Sequence, residues 1–140
     1  MTTRADRYTQ LQKVPDLFAD FLTDLDPHPI TKDLSRLRND QAIKQSIKNL
    51  VLTNYNERPF QPFIGSNVSG SLFELNDEFM ETELEESIRR TITYNEPRAN
   101  LIEVRVLTSP DDYTVSVNIV FSIINSVEPQ SLEVILRRVR

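Results

Sequence analysis

The 140-residue chain has no cysteine, a single histidine (His28) and only two glycines, Gly65 and Gly70. Lack of cysteine excludes disulfide staples, thiolate zinc sites and a cysteine nucleophile, and His28 alone cannot rebuild a Ser-His-Asp cluster or a metal centre. Ordinary usage of roughly 7% would give about ten glycines in this length. Two glycines five positions apart exclude both the P-loop and G-x-G-x-x-G, which bring several backbone N–H groups against phosphates. No stretch approaches the roughly 18 apolar residues that cross a bilayer, and charges run through the first 25 residues, so neither a membrane span nor a signal peptide is visible. Sixteen basic and 21 acidic residues leave a formal charge of −5, which argues against a dedicated nucleic-acid binder. The missing cysteines fit a reducing compartment. What remains is one globular domain, either a metal-free enzyme made in the cytosol or an interaction protein.

The hydrophobic pattern predicts an α+β fold. Residues 1–30 read as an N-terminal arm, and 31–140 as the domain. Within the arm, Leu17, Phe18, Phe21, Leu22 and Leu25 form an apolar cluster that suits either one side of a short helix or an extended segment. Asp26-Pro27-His28-Pro29 then forms a stiff connector, because each residue before a proline is pushed to extended geometry. A helix is expected from Asn39-Asp40 to about Thr53, with Ala42, Ile43, Ile47, Leu50 and Val51 on its buried face. A second, from about Asp77 to Tyr94, repeats Met80, Leu84, Ile88 and Ile92, turns Glu81, Glu85 and Arg89 to water, and is stopped by Pro97. Three alternating runs follow: Ile102, Val104 and Val106; Tyr113 to Ile123; Leu132, Val134 and Leu136. Short turns between them predict a C-terminal antiparallel three-strand meander, packed on one face by the two main helices.

Few constellations carry chemistry. Seven acids lie between Glu74 and Glu86, and a glycosidase needs two carboxyl groups at about 5 to 10 Å, one with a raised pKa. Such density makes a pair at that distance inevitable. A solvated helix face whose acids match the dipole explains it equally. The segment from Glu57 to Glu74, with Arg58, Pro59, Phe60, Pro62, Phe63, Gly65, Gly70 and Phe73, combines prolines, glycines and aromatics into a shaped rather than a flexible stretch, and positive φ or close backbone approach is expected at Gly65. Its aromatics either plug the domain's own core or await a partner, and Arg58 suits a carboxylate or backbone carbonyls across an interface. Glu96 and Arg98 can pair with each other, with the helix end or with another chain. Arg137, Arg138 and Arg140 either guard an edge strand by charge or select an acidic partner whose strand joins the sheet.

These same residues carry a resemblance. Asp33-Leu34-Ser35, the run Ala42 to Leu50, Glu57-Arg58-Pro59-Phe60-Gln61-Pro62 with Gly65-Ser66, Leu72-Phe73-Glu74 and above all Glu96-Pro97-Arg98 resemble the small baseplate wedge proteins of contractile-tailed phages. That family includes the T4 lysozyme-like wedge protein and phage P2 protein W, with the small type VI secretion baseplate component as a relative, and the likeness covers roughly residues 20–140 in order. It implies a structural virion protein, made in the host cytoplasm and present in several copies in a symmetric tail baseplate. Its implied partners are other wedge subunits and the tail sheath protein, for which it offers the platform where sheath assembly starts; no cofactor, metal, nucleic acid or membrane is implied. Arg58, Pro59, Phe60, Gly65, Glu96, Pro97 and Arg98 match the family's motifs and become interface candidates beside Arg137 and Arg138. The alternative is a muramidase-like tail enzyme, but no motif here carries a defined acid and base pair.

Overall fold

The computed structural model describes residues 16–71, 79–109, 114–124, 126 and 128–137. The element order is β1 (Ala19–Phe21), β2 (Arg36–Arg38), α1 (Asp40–Leu52), α2 (Val68–Ser71), α3 (Met80–Asn95), β3 (Ala99–Ser109), β4 (Thr114–Ile123) and β5 (Pro129–Arg137). Strands β3, β4 and β5 form an antiparallel sheet in that order, and β1 pairs with β2 in a separate antiparallel ribbon. The α+β class and the C-terminal meander follow the periodicity of the sequence.

Packing explains why. On α1 the apolar residues recur at helical spacing, and Ala42, Ile43, Ile47, Leu50 and Val51 are all buried. Met80, Leu84, Ile88 and Ile92 do the same on α3. Below them the inward rows of the sheet line up in register: Val104, Ile119 and Leu132; Val106, Val117 and Val134; Thr108, Val115 and Leu136. Helix α3 lies on β3 and α1 reaches β5, so one continuous core fills the space between helices and sheet. Phe121, with no exposed surface, is its largest member; truncation of such a residue typically costs about 3–5 kcal/mol.

Three local readings are changed or sharpened. The first is the alternation of β3, where the register shifts between Leu101 and Glu103. That bulge turns Ile102 out to 54% exposure, while Leu101 packs against the core instead. The second is the cluster at 17–25, where the extended alternative holds: Ala19–Phe21 is strand β1. Ala19 pairs with Arg38 and Phe21 with Arg36, the Pro27–Leu34 bridge continues the ribbon, and Phe18 packs against the core. Third, Glu81 and Glu85 do not simply face water: they are half-buried and bonded to β3, as described below. The expected start of α3 at Asp77, the Leu72-Phe73-Glu74 match, Tyr113, Arg138 and Arg140 lie outside the described residues.

Candidate partner-binding surface

The corner after α3 is built by Pro97, which ends the helix, and by a tight turn in which the Ala99 N–H donates to the Glu96 carbonyl at 3.2 Å. This turn sends the Glu96 side chain inward, leaving it 2% exposed. Arg98 faces it squarely: Nε donates to Oε1 and Nη2 to Oε2, each at 2.6 Å. A bidentate guanidinium–carboxylate pair of this kind is stronger and more directional than a single ionic contact. Burial by itself would raise the Glu96 pKa. The Arg98 side chain, the Ser46 hydroxyl and the Arg98 backbone N–H together outweigh that, and hold the carboxyl below its ordinary value. The opposite face of the guanidinium lies over the Phe18 ring, 5.5 Å from its centroid, and Asp20 adds a further favourable charge.

Glu96 and Arg98 thus join α3, the start of β3, α1 through Ser46 and the N-terminal ribbon through Phe18. Asn39 strengthens the same junction. It occupies the N-cap position of α1 without capping it; its Oδ1 instead accepts from the Leu17 N–H at 2.9 Å. Gln45 extends the attachment, its Nε2 donating to the Phe21 carbonyl at 2.5 Å. Phe18 lies in the apolar cluster, Asn39 at the expected helix start and Ser46 in the Ala42 to Leu50 run, but none of these readings gave the contacts they make here. Their roles depend on a hairpin of three-residue strands that periodicity cannot reveal.

The two edges of the main sheet differ. On β3 the N–H groups of Val106 and Thr108 point away from β4 and donate at 2.9 Å to Glu85 Oε1 and Glu81 Oε1 respectively. The Thr108 hydroxyl donates to the same Glu81 oxygen at 2.5 Å. These two bonds, the hydroxyl first, hold the Glu81 carboxyl below its ordinary value. Two glutamates of α3 therefore occupy donors that another strand would need. Among the described residues β5 has β4 as its only strand neighbour, and Arg137 is exposed at its end.

The segment 54–66 is a closed loop on the other side of α1. Its foot is fixed where the Ser66 N–H donates to the Thr53 carbonyl at 2.8 Å, the Ser66 hydroxyl to the Val51 carbonyl at 2.6 Å, and the Thr91 hydroxyl to the Gly65 carbonyl at 2.6 Å. Gly65 has φ +134, and a Cβ there would run into the Thr53 carbonyl oxygen; only glycine fits this approach. Higher up, the Asn56 N–H donates to the Pro62 carbonyl at 2.9 Å. Phe60 and Phe63 point outward, at 102% and 88% exposure. They do not plug the core; Phe73 lies outside the described residues. Pro59 is exposed and Arg58 half-buried.

Two helices on one face of a three-strand antiparallel meander, with one edge sealed from within and a rigid aromatic loop projecting, define a small class of α+β proteins. Residues 37–127 match the family described as baseplate wedge protein gp25, and the chain belongs to that family. It is 34% identical over 114 residues to the baseplate wedge protein gp25 of Enterobacteria phage T4, spanning 79% of this chain and 85% of the relative. The fold recurs in a Geobacter sulfurreducens protein described as a tail lysozyme, with TM-score 0.59 and 19% identity over 70% of this chain and 89% of that one. It recurs again in the baseplate of the anti-feeding prophage, with TM-score 0.60 and 18% identity over 84% of this chain and 83% of its counterpart.

Proposed function

We propose that this chain is a structural subunit of a contractile-tail baseplate, bound to neighbouring wedge subunits and present in several copies, and that it offers β5 as the platform where sheath assembly starts. The observation that supports this most is the asymmetry of the sheet. Glu81 and Glu85 close β3, so main-chain pairing with an incoming extended segment is directed to β5, where Arg137 favours an acidic partner. The Glu96–Arg98 corner supports the same reading as a rigid junction beside that sheet. We infer no catalytic role: Glu81, at the heart of the acid-rich helix, is tied to Thr108 and has its pKa lowered, the reverse of what a general acid requires.

The test is tail assembly in particles carrying Arg137→Glu. Baseplates should still contain the chain, but sheathed tails seen by electron microscopy should fall at least tenfold. Normal sheath length and number in that variant would overturn the β5 platform.

A further inference from the structure

Among the described residues two arginines are half-buried, Arg58 and Arg98. Arg98 is paired with Glu96, whereas the Arg58 guanidinium makes no ion pair with a described residue. It lines a polar cleft of about 290 Å³ with Ser46, Asn49, Ile64, Asn95 and Asp20. Asp20 lines the same cleft without ion-pairing to Arg58, and its Oδ1 accepts from the Phe21 N–H at 2.8 Å. A planar fork of donors at the wall of a polar cleft is suited to a carboxylate arriving from outside.

Beside this cleft the same loop presents Phe60 and Phe63. Phe60 has φ +66, a conformation that a bulky residue rarely adopts and that persists only where the surroundings enforce it. Here they do. The bonds from Asn56 to Pro62, from Gln61 to the Arg58 carbonyl and from Ile64 to the Gln61 carbonyl lock the loop around the exposed rings. A backbone fixed in advance costs less to order on binding, and exposed aromatics carried on it are suited to act as anchors. Two phenylalanines bury roughly 300–500 Å², against about 800 Å² per partner in a stable pairwise complex. The loop is therefore one contact among several in an assembly rather than a binding site sufficient by itself.

We infer that Arg58, Phe60 and Phe63 form one docking face for an apolar segment of a neighbouring baseplate protein that carries a carboxylate, the carboxylate entering the cleft to meet Arg58 while its apolar neighbours cover the two rings. This inference rests on the baseplate reading above and adds the chemistry of one partner to it.

The experiment places the photo-crosslinker p-benzoylphenylalanine at position 60 of the full chain and irradiates purified particles. A crosslink should form to one other protein, at a peptide with Asp or Glu among apolar residues. Arg58→Glu should reduce its yield at least tenfold, and changing that acid to Arg in the partner should restore it. Arg58→Gln, which removes the positive charge without reversing it, should also reduce the yield and serves if the glutamate variant fails to fold, and unchanged melting temperatures establish that the domain is intact. A crosslink to a peptide without an acid, to lipid or to a second copy of this chain overturns the inference, as does a yield indifferent to Arg58. If the chain is present in particles and no crosslink forms, the docking face alone is wrong; if the chain is absent from particles, the baseplate reading falls and the inference with it.

Discussion

One oxygen of Glu81 accepts both the backbone N–H and the hydroxyl of Thr108, at 2.9 and 2.5 Å. Together with Glu85 on Val106, this makes the side chains of α3 stand where a fourth strand would otherwise pair. An exposed strand edge invites unplanned association. Here helix carboxylates close one edge, while β5 has β4 as its only strand neighbour among the described residues.

Hydrogen exchange should report that closure directly. The amides of Val106 and Thr108 lie on an outer edge, yet should exchange at least tenfold more slowly than in an E81A/E85A double variant. The double variant should also self-associate at lower concentration, as measured by analytical ultracentrifugation. Equal exchange rates in the two proteins would show that the glutamate contacts do not persist in solution.

Replacing Arg98 by Ala should destabilise the isolated domain by about 3 kcal/mol, because it strands a buried carboxylate; the value sits at the low end for such pairs since Arg98 is 35% exposed. Arg98→Lys should recover less than half, as an ammonium cannot make the paired bonds. Denaturant titration measures both, and a loss under 0.5 kcal/mol, on the order expected of an exposed pair, would contradict the picture.

Acid should act through the same corner. Glu96 and Glu81 have folded-state pKa values below the ordinary 4.5, so each binds protons more readily unfolded than folded. Their stabilisation is complete above that ordinary value and is lost as the pH falls through the lowered one. Denaturation midpoints should therefore decline below about pH 4.5, and Glu96→Gln should be less stable at neutral pH with a shallower acid decline. An equally steep decline in that variant would place the sensitivity elsewhere.

Gly65→Ala should cost about 2 kcal/mol or more, since it combines the positive φ with a collision against backbone. Gly70→Ala meets only the side chain of Asn67, which can turn aside, and should stay within about 1 kcal/mol of the parent. Thermal melts of the two variants separate the cases; similar losses would mean that the Gly65 geometry is not what selects glycine.

How far the fold could be read beforehand depended on the length scale of each signal. The buried faces of α1 and α3 and the three long strands repeat the same residue types over several turns or pairs, and periodicity alone places them. The β3 bulge at Ile102 is a single-residue event, invisible to alternation. Phe18 and Phe21 sit in or beside strands of three residues whose pairing depends on Arg36–Arg38 some 17 positions away. Glu81 and Glu85 lie on the polar side of their helix wheel, and only the sheet's position shows that this side meets the edge of β3. For the candidate site, the loop's own residues picked out Arg58 and Gly65 and the family resemblance picked out Glu96 and Arg98, but neither showed that Glu96 turns inward or that Phe60 and Phe63 turn outward. Those directions come from a corner set by Pro97 and a loop foot set by Ser66 and Thr91.

The most direct measurement of the central proposal is an electron cryo-microscopy reconstruction of the intact tail containing this chain. The account predicts the chain in the baseplate with an extended segment of another protein hydrogen-bonded along β5 and with β3 still covered by Glu81 and Glu85. A reconstruction in which β5 faces solvent, or in which the added strand lies on β3, would contradict it.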